Sequence, residues 1–129
     1  MSAVQSDLAN FRKKLMVYGL ENGAYPVNST ELAEVGLRFS GASNYDMRPS
    51  YNNIYYCADL AGAKFAVGVR AADNPTSSFF VTDSSDSQLN SGLITQTVTC
   101  SKIGVAGTSA DSYSTGGVTA AGSVSPWLQ

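Results

Sequence analysis

Large apolar side chains return every three or four positions at the start of the chain. Val4, Leu8, Phe11, Leu15 and Tyr18 stack into one stripe, which predicts an amphipathic helix over Ser2 to Asn22. At ~1.5 Å per residue such a helix is roughly 30 Å long, about the width of a small domain. Asn22-Gly23 stops it, because glycine tolerates the left-handed conformation that closes a last turn. Pro26 then forces Ala24-Tyr25 to be extended. A second, short helix follows. Asn28 caps it, Glu31 returns the bond three residues on, Val27 staples against Leu32, and Gly36 ends it after about two turns. Asn28-Ser29-Thr30 also matches an N-glycosylation sequon, although the cap is the stronger local reading.

Beyond Gly36 the period changes. Residues 37–53 are irregular, rich in Ser, Gly, Asn and Tyr, with Pro49 breaking regular pairing. Ile54 to Asp59 is aromatic and β-branched, and Lys64 to Arg70 alternates, with Phe65, Val67 and Val69 on one side. A turn at Asp73-Asn74-Pro75 leads to a third strand, Ser78 to Asp83. Asp83 to Gly92 reads as a polar loop. Leu93 to Ser101 reads as a fourth strand, with Ile94, Val98 and Cys100 on one face and Thr95, Thr97 and Thr99 on the other. Short turns between consecutive strands imply an antiparallel meander. The expected fold is α+β, the N-terminal helix packed on a four-stranded antiparallel meander sheet. Residues 1–101 form this unit. Residues 102–129, dominated by Gly, Ser, Thr and Ala, form an extension packed on it or trailing from it, with a candidate strand at Gly117 to Ser123 and Trp127-Leu128 docking at the end.

Composition narrows the function classes. A length of 129 residues suits one core. Charged residues make up only 14%, and the net charge of −2 implies no polyanionic partner. There is no histidine, so Ser-His and Cys-His catalysis is excluded, along with the commonest metal ligand. A Ser-Lys pair would have to draw on Lys13, Lys14, Lys64 or Lys102, and nothing in the spacing joins one to a serine; no catalytic role is expected. Cys57 and Cys100 lie in strand-like runs of a lightly charged chain and are consistent with one disulfide; two buried thiols in a reducing compartment are the alternative. No run is long enough to span a membrane and no signal peptide is visible. A polar, uncharged surface without an export signal suggests a piece of a longer secreted protein, with Met1 a start codon placed inside it.

The order of elements, and above all the segment Tyr18 to Leu37, YGLENGAYPVNSTELAEVGL, resembles the type IV pilins and pseudopilins. Tyr18, Asn22, Gly23, Tyr25, Pro26 and Leu32 match the segment through which such proteins leave their spine helix. The resemblance covers roughly the first hundred residues. It implies a structural subunit of a surface filament supporting adhesion, motility or DNA uptake, placed outside the cell and membrane-anchored before assembly. It also implies partners: other pilin subunits and an inner-membrane assembly machinery engaged through an N-terminal hydrophobic segment that is missing here. The isolated domain is then expected to be monomeric. The alternatives are a DNA-binding or adhesive minor pilin, with DNA or a host surface as partner, and a pseudopilin of a type II secretion system.

Three groups of residues bear on these readings. Ala9, Met16 and Leu20 form a smaller apolar patch behind the main stripe, a candidate surface for neighbouring subunits. Arg12, Lys13 and Lys14 are the only basic run; on a helix they point about 100° apart and fan out, so a solvated helix face is the better reading and they are only weak evidence for DNA contact. Asp83-Ser84-Ser85-Asp86-Ser87 offers calcium-type oxygen ligands but lacks the EF-hand spacing, so no cofactor and no metal is expected. Tyr45, Tyr51, Tyr55 and Tyr56 offer either a half-wet contact surface or rings covering sheet and helix.

Overall fold

In a computed structural model, residues 3–38, 54–70 and 77–116 are described. The chain opens with α1 (Ala3–Asn22), whose stripe is buried as its period requires: Val4, Leu8, Phe11 and Leu15 are each at most 2% exposed. Gly23 closes it with φ 79°, donating its N–H to the Gly19 carbonyl. The short α2 (Ser29–Val35) carries a full capping box. Asn28 Oδ1 accepts the Glu31 N–H at 2.9 Å, Glu31 Oε1 accepts the Val27 N–H at 2.9 Å, and Gly36 ends the helix at φ 76°.

Among the described residues the sheet has five strands rather than four. They are β1 (Ile54–Asp59), β2 (Phe65–Arg70), β3 (Ser77–Thr82), β4 (Ser85–Ser91) and β5 (Ser112–Gly116), ordered β4-β3-β2-β1-β5 with every neighbour antiparallel. The first four form a meander, but its fourth member is the segment expected to be a polar loop. Ser85–Ser91 pairs with β3 across a two-residue turn at Asp83-Ser84. As an edge strand with little buried surface it needs few apolar residues, so no hydrophobic alternation marks it.

The segment Leu93 to Ser101 is not a strand either. Its second half is α3 (Gln96–Ser101), capped by Thr95, whose hydroxyl accepts the Val98 N–H at 3.1 Å. Thr99 adds an Oγ1 bond to the Thr95 carbonyl. Two of the three threonines that suggested strand alternation, Thr95 and Thr99, are a cap and a back-bonding residue, a case where tertiary context overrides β-propensity. From α3 the chain reaches β5, which lies beside β1 on the far edge from β4. Residues 102–116 are therefore built into the sheet unit. The candidate strand Gly117 to Ser123 and Trp127-Leu128 lie outside the described residues, as do Tyr45, Tyr51 and the Asp73-Asn74-Pro75 turn.

Strand alternation assigns the two faces. Ile54, Tyr56, Ala58, Phe65, Val67, Val69 and Val81 join the α1 stripe, Leu32 and Leu37 in the main core. Cys57, Ala66, Cys100 and Ile103 form a second cluster on the opposite face, beneath α3. Gly68 is the thin point of that face: a Cβ there would lie 2.6 Å from Ile94 and 2.8 Å from the Thr99 hydroxyl. The fold is thus three-layered, α1 and α2 on one side and α3 on the other, which is why β2 is buried along its whole length. A disulfide between Cys57 and Cys100 fastens α3 to β1. No helix among the described residues is long and apolar enough to cross a membrane.

Candidate assembly surface on the first helix

Three sectors divide α1: the buried stripe, two polar flanks and an outward face. On one flank Arg12 reaches the β3–β4 turn. Its Nε donates to the Thr82 carbonyl at 2.8 Å and its Nη2 to the Asp83 carbonyl at 3.1 Å. Its contact with Asp86 is longer, 3.4 Å, and Asp86 is almost fully exposed, so this ion pair adds little beside the carbonyl bonds. On the other flank Lys14 donates to the Gly36 carbonyl at 2.9 Å, at the C-terminal end of α2, where a cation is favoured. Lys13 points outward between them. The basic run therefore fans out as the helical angle requires, and two of its three charges fasten the helix to its own domain.

The back patch divides as well. Ala9 is exposed and Leu20 is 87% exposed, the most exposed large apolar side chain among the described residues. Met16 is half-buried and packs against the main core. Val17, not included in the sequence-derived patch, is exposed at 45% and stands between Lys13 and Leu20 on the outward face. At about 100° per residue Val17 falls on the outward half of the helix, well away from the buried stripe, so the signal for it was present in the sequence.

The end of α1 is shaped by the segment that carried the family resemblance. Asn22 donates from its side chain to the Tyr18 carbonyl at 2.9 Å. Tyr25 folds back so closely that a Cβ on Gly19 would sit 2.6 Å from its ring, and its other side meets Phe65 edge-on at 4.7 Å. The Tyr25 N–H donates to the Gly62 carbonyl in the β1–β2 connection at 2.8 Å, and the buried Tyr56 hydroxyl donates to the Pro26 carbonyl at 2.8 Å. A shallow groove of about 300 Å³ remains beside Leu20, lined by Met16, Gly19, Ala24, Tyr25 and Gly62. A second, of about 430 Å³, lies between α1 and α2, where Lys13, Lys14 and Val17 face Glu34 and Val35. Burial, and then the Glu31 and Glu34 carboxylates, push the Tyr18 phenol above its usual range.

The remaining candidates have structural occupations. Asp83 accepts the Phe65 N–H at 3.2 Å, and Asp86 is the partner of Arg12. Among the described residues no three His, Cys, Asp or Glu side chains converge as metal ligands. Tyr56 is a core residue and Tyr55 is buried to 9% exposure, so these two rings cover the sheet instead of facing a partner. Arg38 is exposed, Arg70 is buried, and Lys102 lies over the Phe80 ring at 4.5 Å on the α3 side; among the described residues these cations do not gather on one face, and Arg48 lies outside them. Arg12 as a clamp was beyond sequence reasoning, because its carbonyl partners are 70 and 71 residues away. Compared with known proteins, the chain matches no family model, no curated protein and no solved structure.

Proposed function

We propose that this chain is the globular domain of a type IV pilin-like structural subunit, which polymerises into a surface filament. In this reading α1 is the lower part of a longer spine whose hydrophobic upper part anchors the subunit in the membrane and then forms the filament core. The supporting observation is the division of α1: one stripe holds an antiparallel sheet, while Ala9, Val17 and Leu20 are left on the outward face of the same 20-residue helix. Apolar side chains on that face suit head-to-tail packing between identical subunits. The Cys57–Cys100 bridge supports an extracellular location, because disulfides persist in oxidising compartments. A DNA-receptor role draws less support, since Arg12 and Lys14 are engaged within the domain.

Antibodies raised against the domain test the reading on cells that make it. They are expected to decorate surface filaments along their length, and deletion of the gene is expected to remove those filaments. Filaments that stay unlabelled and survive the deletion overturn it.

A further inference from the structure

We infer that Asn28 is an acceptor for an N-linked glycan. Asn28-Ser29-Thr30 has the acceptor amide and the hydroxyl two residues on, with a middle residue other than proline. The chain's other triplet of this form, Asn74-Pro75-Thr76, carries the excluded proline. Asn28, Ser29 and Thr30 are all exposed.

The capping role of Asn28, which competes with this assignment in the sequence, does not compete with it in the structure. The cap uses Oδ1, which accepts the Glu31 N–H at 2.9 Å. Glycosylation uses Nδ2, for which no protein partner occurs among the described residues. In the transfer, Nδ2 attacks the anomeric carbon of a lipid-pyrophosphate-linked oligosaccharide. The N–C bond forms, the sugar–phosphate C–O bond breaks, the lipid pyrophosphate leaves with the electron pair, and Nδ2 gives up one proton. Oδ1 remains an acceptor afterwards, so the glycosylated side chain still caps α2. The backbone around the site is held independently of the sugar, because Glu31 accepts the Val27 N–H and Tyr56 donates to the Pro26 carbonyl. The modification thus projects from a fixed point into solvent.

The assignment rests on passage of the chain through an extracytoplasmic compartment, which the disulfide supports, and not on filament assembly. The test is the mass of the protein recovered from cells that naturally make it, whole and as the peptide containing Asn28. Wild type is expected to exceed the sequence mass by one oligosaccharide carried on that peptide. Two variants are expected to return to the sequence mass with unchanged melting temperature: Asn28→Asp, which keeps the capping oxygen, and Thr30→Ala, which keeps Asn28 itself. An unmodified Asn28 in disulfide-bonded protein recovered outside the cell overturns the glycan alone. Unmodified protein found only reduced and inside the cell overturns the glycan together with the extracellular placement.

Discussion

Tyr56 shows how one side chain joins three parts of the fold. Its ring lies in the main core, its hydroxyl donates to the Pro26 carbonyl after α1, and its ring meets Tyr113 of β5 with centroids 6.2 Å apart. Tyr56→Phe keeps the packing but leaves the Pro26 carbonyl without this donor, and is expected to cost about 1–2 kcal/mol in denaturant unfolding. Burial pushes the Tyr56 phenol well above its ordinary value of 10.0, with nearby Tyr113 adding to the effect. The unfolded chain loses this proton near pH 10 while the native chain retains it. The stabilising contribution is therefore complete below pH 10 and declines as pH rises from there toward the native value. Spectrophotometric titration is expected to show one tyrosine ionising only as the fold is lost, and Tyr56→Phe is expected to lessen the alkaline destabilisation. Gly62 is a second sensitive residue. Its φ is +67°, and a Cβ there would lie 2.8 Å from the Ala24 Cβ and 2.9 Å from the Tyr25 carbonyl oxygen. Gly62→Ala is expected to lower stability by about 2 kcal/mol, read from the denaturant midpoint, because both the backbone conformation and the approach of the α1 exit to the β1–β2 connection resist it.

Among the elements, α3 depends on a covalent tie. It is only six residues long, too short to persist alone, and it lies on the sheet face away from α1. The bridge spans 43 residues, for which chain entropy alone gives about 4 kcal/mol. Replacing Cys57 and Cys100 by serine is expected to speed amide exchange in α3 and β5 well before it does so in α1, the outcome to be read by exchange mass spectrometry. Uniform loss of protection would mean that the two faces of the sheet are not separable. These elements also mark the limit of what the sequence discloses. Both N-terminal helices are legible because their instructions are local: a stripe at helical spacing, an Asn cap with its Glu, glycines at the stops. The first three strands are legible because each presents a buried apolar face. Ser85–Ser91 is not, since an edge strand of Ser, Asp, Gln and Asn owes its conformation to β3. Thr95 to Cys100 misleads, because a threonine that caps and a threonine that alternates look alike until the sheet is in place. The same limit applies to the outward face of α1. Leu20 could be placed from its angle, but the inward lean of Met16 depends on what the sheet leaves room for.

For the whole molecule, the partial burial of Met16 changes how subunit contact is tested. A charge at Met16 would disturb the domain itself, so Ala9→Glu and Leu20→Glu are the informative substitutions. Together they are expected to leave the melting temperature of the isolated domain within a degree or two, about the shift of a neutral surface change. In the full subunit they are expected to abolish filaments. Filaments of normal number and length in that double variant would falsify the assignment of this face. The Cys57–Cys100 bridge has a topological consequence for the molecule as a whole. It closes a ring that contains β2, β3, β4 and most of α3, with α1 and β5 on the arms outside. A backbone cut anywhere from Ala58 to Thr99 opens the ring without releasing a fragment, so nicked chains stay in one piece until a reductant is added. Once the chain is unfolded, as on a denaturing gel, a cut in either arm frees its end with or without reductant. Limited proteolysis run with and without reductant therefore reads directly whether a cleavage site lies in the ring or in an arm.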